Sequence, residues 1–553
     1  MGQHAKSVTA VAAAVRRLYD IGQPYRVVHG SSNSTRPRHG PDQQTVDISS
    51  LNNVLCIDRA HKICLVEPNV PMDKLIEATM AVGLVPPVVM DFPGITAGGG
   101  FSGTSAESSS FRHGFFDQTV NWVEMVLGNG DVIRASRHER EDLFRSAAGA
   151  VGTLGIVTLL ELRLTEARTY VYVTYQRINS TSMAISEIQS QSALLKADYV
   201  DGIMYSQDHG VIITGTMTDD KPPESPVQTF SNAADPWYYL HVQQRTRDLP
   251  TLASVSEFIP LAEYLFRYDR AAFWVGRAGY TYFQIIPFNA FFRWLLDDFS
   301  HTRTLYHALH ASRISSQFVV QDVALPYDAA EEFISWTQQE LGIWPLWLCP
   351  LAASPCPTFH PVTVRGTTTA TTTPQTVSVC SSVSHGSVKE SLSQPMLNVG
   401  VWGWGPRDYE NFISKNRALE RLVARLGGRK WLYSHSYYEQ GEFWDLYGQS
   451  WYRALRKKYF ATSLPTVYDK IKIDTGAKVR QDRDWRLSWM SRWPIGGLNG
   501  MLLAALSGDV PLHRAAKWRY KKQSATEQLA HRGGRVALLV LILLSLWMAY
   551  AGC

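Results

Sequence analysis

Residues 93–114 read PGITAGGGFSGTSAESSSFRHG, and the reading of this run decides the fold. Three consecutive glycines, Gly98 to Gly100, then Gly103 and a cluster of serine and threonine let a bound group approach bare backbone and meet hydroxyls. A flexible linker has the same composition. Order along the chain separates the two, because the run lies between strand-like segments and is followed by a hairpin signal and by GAVGTLGIVT at 149–158. A second small-residue loop, HGSSNSTR at 29–36, directly follows a strand-like run. Converging N–H groups in such loops suit a pyrophosphate. Neither loop reads GxGxxG, which disfavours the doubly wound parallel dinucleotide fold.

Working outward, Val11, Val15 and Leu18 space Thr9–Tyr19 as an amphipathic helix, and Tyr25–Val28 reads as a strand. Val54–Asp58 and Lys62–Glu67 are short apolar runs around a polar turn. A helix from Met72 to Val82 follows, stopped by Gly83. Glu124–Leu127 and Val132–Ala135 flank Asn129-Gly130, a hairpin signal in which both central turn positions need positive φ. Gly155–Leu164 closes the region as a strand. Beyond about Thr165 the texture becomes aromatic, at Pro236–Tyr239, Tyr264–Trp274, Tyr280–Trp294 and Trp344–Trp347. Such side chains either form ordinary core or line an apolar cavity for a bulky ligand. Val362–Ser393 is rich in threonine and serine without periodicity, as a disordered insertion would be. Asn411–Leu426 then reads as a helix ended by Gly427-Gly428.

The 553 residues, 45% of them hydrophobic, predict two or three domains. A net charge of +5 over this length does not point to nucleic acid. Six cysteines without CxxC or short Cys/His spacing suggest neither a metal site nor a disulfide framework, and fit a cytosol-facing body. Met1–Asp20 lacks the apolar run of a signal peptide. Residues 536–552, VALLVLILLSLWMAYAG, are uncharged and follow His531, Arg532 and Arg535. Seventeen such residues are at the short limit for a bilayer core of about 30 Å, and their basic flank predicts a C-terminal single-pass anchor. A buried core helix has the same composition. Lys517–Lys522, KWRYKK, is either a patch for anionic headgroups or a solvated turn.

The series HGSSNSTR, VEPNV, TAGGGFSGTSAESSS, RHGFFDQTV, VLGNGDV, DLF and GTLGIVT resembles the FAD-binding domain of the p-cresol methylhydroxylase and vanillyl-alcohol oxidase type. Further runs resemble the Δ24-sterol reductases within it. They are ESSS, IMYSQDHGVIITGTMTDD (203–220), IPLAEYLFRYDRAAFW (259–274), VVQD (319–322), WPLWLCP (344–350) and LYSHSYYEQGEFWDLY through VYDKI (432–471). The resemblance covers about residues 10 to 475. It implies an α+β chain: a two-subdomain FAD-binding domain over 1–165 and a substrate (cap) domain over 166–361, completed by 396–475. The insertion at 362–395, a basic membrane-proximal linker at 476–535 and the membrane helix at 536–552 make up the rest.

It further implies that Gly30, Ser31, Ser32, Asn33, Ser34 and Thr35 wrap the FAD pyrophosphate. Thr96, Gly98, Gly99, Gly103, Thr104, Ser108, Ser109, Gly114, Gly152, Gly155, Ile156 and Val157 would also line the flavin. Family members with covalent FAD carry a histidine at the loop position that aligns with Asn33, so noncovalent FAD is expected here; His29 reads as structural. The implied reaction is reduction of the C24–C25 double bond of a sterol, with NADPH as electron donor, in the endoplasmic reticulum membrane. An FAD-linked oxidase or dehydrogenase acting on another lipid or terpenoid is the alternative, since fold does not fix substrate. An isolated alkene cannot stabilise a carbanion, so protonation should lead and the protein must supply an acid. Tyr433 and Tyr437 are the candidates, with Glu442 and His435 behind them. No metal and no nucleic-acid partner is expected.

Overall fold

The computed structural model describes residues 2–30, 44–312, 317–363, 391–474 and 493–520, and its chain is built on two separate antiparallel sheets, an α+β arrangement. The first domain begins with helix Gly2–Asp20, which buries Val8, Val11, Val15 and Leu18 along one side. It starts earlier than the apolar spacing predicts because a polar residue anchors its first turn. His4 Nδ1 lies 2.8 Å from Glu67 Oε1 and its Nε2 3.2 Å from Glu124 Oε1.

Arg26–Val28 pairs in parallel with Thr45–Asp47. The five-stranded sheet runs Val54–Asp58, Ile63–Val66, Ile156–Arg163, Val120–Val126 and Val132–Ser136 in spatial order. Its hairpin forms at Asn129-Gly130, but of the two turn positions expected at positive φ only Gly130 takes it, at 87°, while Asn129 Oδ1 accepts from Asp131 N at 3.1 Å. A Cβ there would come within 2.9 Å of the Ala12 carbonyl oxygen, so docking of the first helix demands glycine a second time. The helix read over 72–82 spans Met72–Met80.

The second domain is an eight-stranded antiparallel sheet, ordered Ser254–Pro260, Tyr170–Ile178, Gly210–Thr218, Tyr199–Met204, Leu346–Leu351, Met396–Trp404, Phe318–Leu325 and Arg429–Lys430. Successive side chains of a strand point to opposite faces. In the adjacent strands Leu346–Leu351, Met396–Trp404 and Phe318–Leu325 that alternation divides two chemistries. Val319, Val323, Leu346, Leu348, Leu397, Val399 and Val401 join one apolar cluster with residues of helices Thr181–Leu194, Ala330–Glu340 and Tyr409–Arg425. Val320, Asp322, Trp347, Asn398 and Trp402 face the other way, towards the first domain.

The two domains meet on a buried cation. Arg267 donates to Asp91 Oδ1 at 3.0 Å in the first domain and to Asp201 Oδ2 at 3.1 Å in the second. Only 1% of its side chain is exposed, and its guanidinium lies over the rings of Tyr264, Tyr268 and Tyr238. Tyr268 and Trp347 also donate to Asp201 Oδ2, at 3.2 and 3.1 Å. The C-terminal helices Gln440–Tyr447, Gln449–Lys458 and Val467–Ile471 return to the first domain, where Tyr452 donates to Thr153 Oγ1 at 2.7 Å.

Four expectations need correction or lie elsewhere. The edges of the 362–395 insertion are ordered: Val362 is buried, Thr363 donates to Gly427 O at 2.7 Å, and Ser391–Leu392 pairs with Pro355–Cys356. Its remainder, 364–390, is outside the described residues. The 476–535 stretch, read as a basic linker, contains helices Ile495–Leu506 and Asp509–Ala515, and the first packs closely on helix Thr302–Ala311 through Gly500. The apolar run 536–552 lies outside the described residues. Among those described, no single helix is long and apolar enough to cross a membrane; the pair at 495–515, bent by 55°, reaches that composition only taken together. Cys56, Cys64 and Cys349 are free thiols, whereas Cys356 is disulfide-bonded, which the cysteine spacing did not suggest.

Replacing Arg267 by Leu leaves Asp91 and Asp201 buried without their cation. Loss of one partner from such a group costs about 3–5 kcal/mol. The Arg267→Leu chain should therefore melt well below the parent in a thermal unfolding experiment; an unchanged melting temperature would show that the cation does not hold the domains.

Candidate functional site

A cavity of about 680 Å³ lies between the glycine-rich turns of the first domain and the aromatic face of the second sheet. Of the residues singled out in the sequence, Gly30, Thr96, Gly98, Gly99, Gly103, Gly152, Gly155, Ile156, Val157 and Tyr433 line it. Ser31, Ser32, Asn33, Ser34 and Thr35 are outside the described residues. Four others build the wall from behind. Thr104 is buried in the left-handed region and donates to Gly103 O at 2.7 Å. Ser108 accepts from Arg267 Nη2 at 3.4 Å, Ser109 donates to Pro87 O at 2.9 Å, and Gly114, at φ 77°, packs on the side chain of Gln118.

The central glycines form a helix, Ala97–Gly103, against their propensity. Thr96 caps it by accepting from Gly99 N at 3.1 Å. Packing requires glycine at Gly98, since a Cβ there would sit 2.6 Å from Pro68 Cβ and 3.0 Å from its carbonyl oxygen, while one on Gly100 would have to displace the end of Met90. Gly103 is different. Nothing lies within 4 Å of where its Cβ would be, so the protein's own packing does not demand glycine there, and the position borders the cavity. Gly152, at φ 72°, and Gly155, at φ 143°, shape the neighbouring wall. Lys470 Nζ donates to the Val151 and Gly152 carbonyls at 3.0 and 3.4 Å, bringing a positive charge to that turn. Bare backbone, one ammonium and a long concave wall fit an elongated anionic group with a flat ring system, as FAD is.

The opposite wall is aromatic and acidic. Phe273, Trp347 and Trp402 form one cluster, with Phe273 and Trp402 centroids 4.5 Å apart and Phe273 and Trp347 5.3 Å apart. Phe92 contacts both Phe273 and Tyr306 at 5.8 Å. Inside this wall Asp322 accepts from Trp402 Nε1 at 3.1 Å, from Asn398 Nδ2 at 3.4 Å and from the Tyr433 hydroxyl. Gly400 makes room for the carboxyl, because a Cβ there would be 3.0 Å from Asp322 Oδ1 and 2.7 Å from the Trp402 ring. Burial pushes Asp322 up to about 6, against the three hydrogen bonds and the more distant charge of Lys430. Tyr433 is raised well above its ordinary value by burial and then by the Asp322 charge.

A second acid faces the cavity at Glu107, which accepts from Asp91 N at 3.3 Å. Burial and then the Asp91 charge push it well above the usual carboxylate range. Burial also raises Asp91, to about 7, opposed by Arg267. The guanidinium lies on Asp91, so the charge of the pair settles there and Glu107 keeps the proton.

Tyr437, named with Tyr433 in the sequence, is on the far side of the sheet. It belongs to the apolar cluster beneath the helices and its N–H donates to Glu420 at 2.9 Å. Glu442 pairs with Arg421 at 2.8 Å at a partly exposed position, and neither it nor His435 lines the cavity. Sequence reading passed over Asp322, Glu107, Lys470, Trp402 and Asn398. Of these, Glu107, Asp322 and Lys470 stand in runs that carry the family resemblance, which was the available signal.

An FAD binding domain family matches residues 4–136. The Delta(24)-sterol reductase of Homo sapiens is 28% identical over 440 residues, covering 76% of each chain. That of Arabidopsis thaliana is 28% identical over 325 residues, 55% of this chain and 56% of its own. A Delta(24)-sterol reductase homolog of Caenorhabditis elegans is 22% identical over 496 residues, 85% of this chain and 87% of its own.

The raised Asp322 carboxyl carries a sign. A group whose folded pKa, about 6, exceeds its ordinary 3.8 binds its proton more tightly in the folded chain. Its contribution is therefore present at low pH and is lost as pH rises through about 6. The melting temperature of the parent relative to Asp322→Asn should rise as pH is lowered from 7.5 towards 5; parallel pH profiles would contradict the assignment.

Proposed function

We propose that this chain, a homologue of the Delta(24)-sterol reductases that carries an FAD binding domain, reduces the C24–C25 side-chain double bond of a sterol using FAD, with NADPH as the electron donor. One observation carries the reading: the glycine-lined wall of the FAD binding domain and the aromatic wall holding Asp322 and Tyr433 enclose the same cavity. A cofactor along the first wall and an apolar side chain along the second would be in contact. Asn33 in the HGSSNSTR loop supports noncovalent FAD. The apolar run 536–552 supports attachment to a membrane, on the family resemblance that of the endoplasmic reticulum.

When bound and reduced, FAD supplies a hydride. The protein must do the rest. An alkene without an adjacent carbonyl is protonated before it accepts hydride, so an acid has to stand at C24 while positive charge grows at C25. A general acid works best with a pKa near the operating pH. Asp322, at about 6, meets that condition, and Tyr433 joins it to the cavity by a hydrogen bond through which the proton can be relayed. The faces of Phe273, Trp347 and Trp402 stabilise a nearby cation by its attraction to their π systems. The same rings exclude the water that would otherwise trap it. Glu107 lies on the cofactor domain's side of the cavity and is the alternative acid.

Purified chain supplied with FAD, NADPH and a Δ24 sterol should yield a product two hydrogens heavier by mass spectrometry, and acid precipitation should leave the flavin in the supernatant. No mass gain with any Δ24 sterol, while FAD is bound, would overturn the reading; flavin pelleting with the protein would overturn noncovalent attachment. Tyr433→Phe and Asp322→Asn should each lower kcat by about 10²–10⁴ with FAD content unchanged. Full turnover in both, together with its loss in Glu107→Gln, would move the proton donor to Glu107.

A further inference from the structure

Helix Ile495–Leu506 is built inside out. Gly496, Gly497, Gly500 and Ala504 are its buried residues, and Leu498, Leu502, Leu503 and Leu506 are exposed, Leu506 to 73%. An ordinary surface helix turns its leucines inward. Here the inner side is fixed by close approach: a Cβ on Gly500 would be 2.5 Å from the Ala308 carbonyl oxygen, and one on Gly497 would overlap the Tyr282 ring. The following helix, Asp509–Ala515, is held by polar contacts. His513 Nε2 lies 3.0 Å from Asp298 Oδ1, Arg514 donates to Asp298, and Asp509 pairs with His307 at 3.3 Å. The hairpin is thus docked without using its large apolar side chains, which stand outside with Leu512 and Trp493.

We infer that this leucine face seats on the surface of a lipid bilayer with anionic headgroups. Three observations select that occupant. The exposed side chains are aliphatic, with a tryptophan at the edge, the composition of an interfacial element. No acidic side chain is exposed among residues 493–520: Asp509, the one acidic residue there, is buried, whereas Lys517 is exposed and Lys521 and Lys522 follow in sequence. After Tyr520 come thirty-three residues that include the uncharged run 536–552, so the chain carries a second apolar element close in sequence to this face. An exposed leucine face partitions into a membrane interface, and lysines close to it in sequence favour one with anionic headgroups.

The face is one helix away from the cavity. Helix Thr302–Ala311 turns Leu305, Tyr306 and Leu309 to the cavity and Ala308 to Gly500. On the reductase reading, a substrate dissolved in the bilayer would therefore lie on the same side as the wall it must pass.

The test uses the full chain with Leu506→Cys carrying an environment-sensitive nitrobenzoxadiazole fluorophore; labelling of exposed Cys56 is subtracted with the unsubstituted chain. Vesicles of phosphatidylcholine and phosphatidylserine should shift its emission to the blue, and nitroxide-labelled lipid should quench it. The same probe at Leu194→Cys, exposed at the end of helix Thr181–Leu194, should respond to neither. An unshifted Leu506 probe on vesicle-bound chain would overturn the inference. So would a blue shift already present without lipid, which would mean coverage by the chain's own later residues, or one that tracks protein concentration, which would mean a second copy. No sterol turnover enters the measurement, so its outcome is separate from that of the reductase reading.

Discussion

The buried cation of Arg267 is the constraint on which the rest of the architecture depends. Two carboxylates from different domains, Asp91 and Asp201, are each too costly to bury alone and are held by one guanidinium between three tyrosine rings. That arrangement brings the loop after Val88 against the second sheet. It also decides which carboxyl of the Asp91 and Glu107 pair is charged, so a structural ion pair reaches into the chemistry of the cavity wall. A cavity formed between two domains has walls of independent origin. Here one wall is bare backbone and the other is aromatic, and no single sheet or helix could present both.

The acid wall follows from strand periodicity. In Phe318–Leu325 and Met396–Trp404 the side chains of Val319, Val323, Leu325, Leu397, Val399 and Val401 pack under helices, with Gln321 the polar exception in their register, while Asp322, Asn398 and Trp402 stand at intervening positions and line the cavity. A polar group so placed is shielded from bulk water yet hydrogen-bonded, which is how a carboxyl comes to titrate near neutrality. Gly400, midway between Asn398 and Trp402, is the space that lets the carboxyl and the indole coexist.

Much of the first domain was legible from the sequence, because its signals are local. The Asn129-Gly130 hairpin, the helix of Val11, Val15 and Leu18, and the small-residue segments at 93–114 and 149–158 all form in the order the sequence sets, with Gly30 of the third segment at the same cavity. The second domain was less legible because its information is relational. Tyr433 and Tyr437 read alike in LYSHSYYEQ, yet the stretch between them is irregular, so the two rings end on opposite sides of the sheet. Thr104, Ser108, Ser109 and Gly114 share the composition of the cavity-lining residues and support them from behind. Nothing local marks Arg267 as the meeting point of two domains. The helix at 495–506 was hidden for a different reason: three glycines weaken its propensity, and only the close approach of Ala308 to Gly500 and of Tyr282 to Gly497 makes sense of two of them.

The central claim is that one cavity takes cofactor along its glycine wall and substrate along its aromatic wall. An experimental structure of the full chain with FAD and a Δ24 sterol tests it most directly. The account predicts the flavin ring beside Gly103 and Gly152 to Val157, with the sterol side chain between that ring and the Asp322–Tyr433 pair. FAD bound elsewhere, or a flavin ring filling the space before Trp402 and Tyr433, would contradict it.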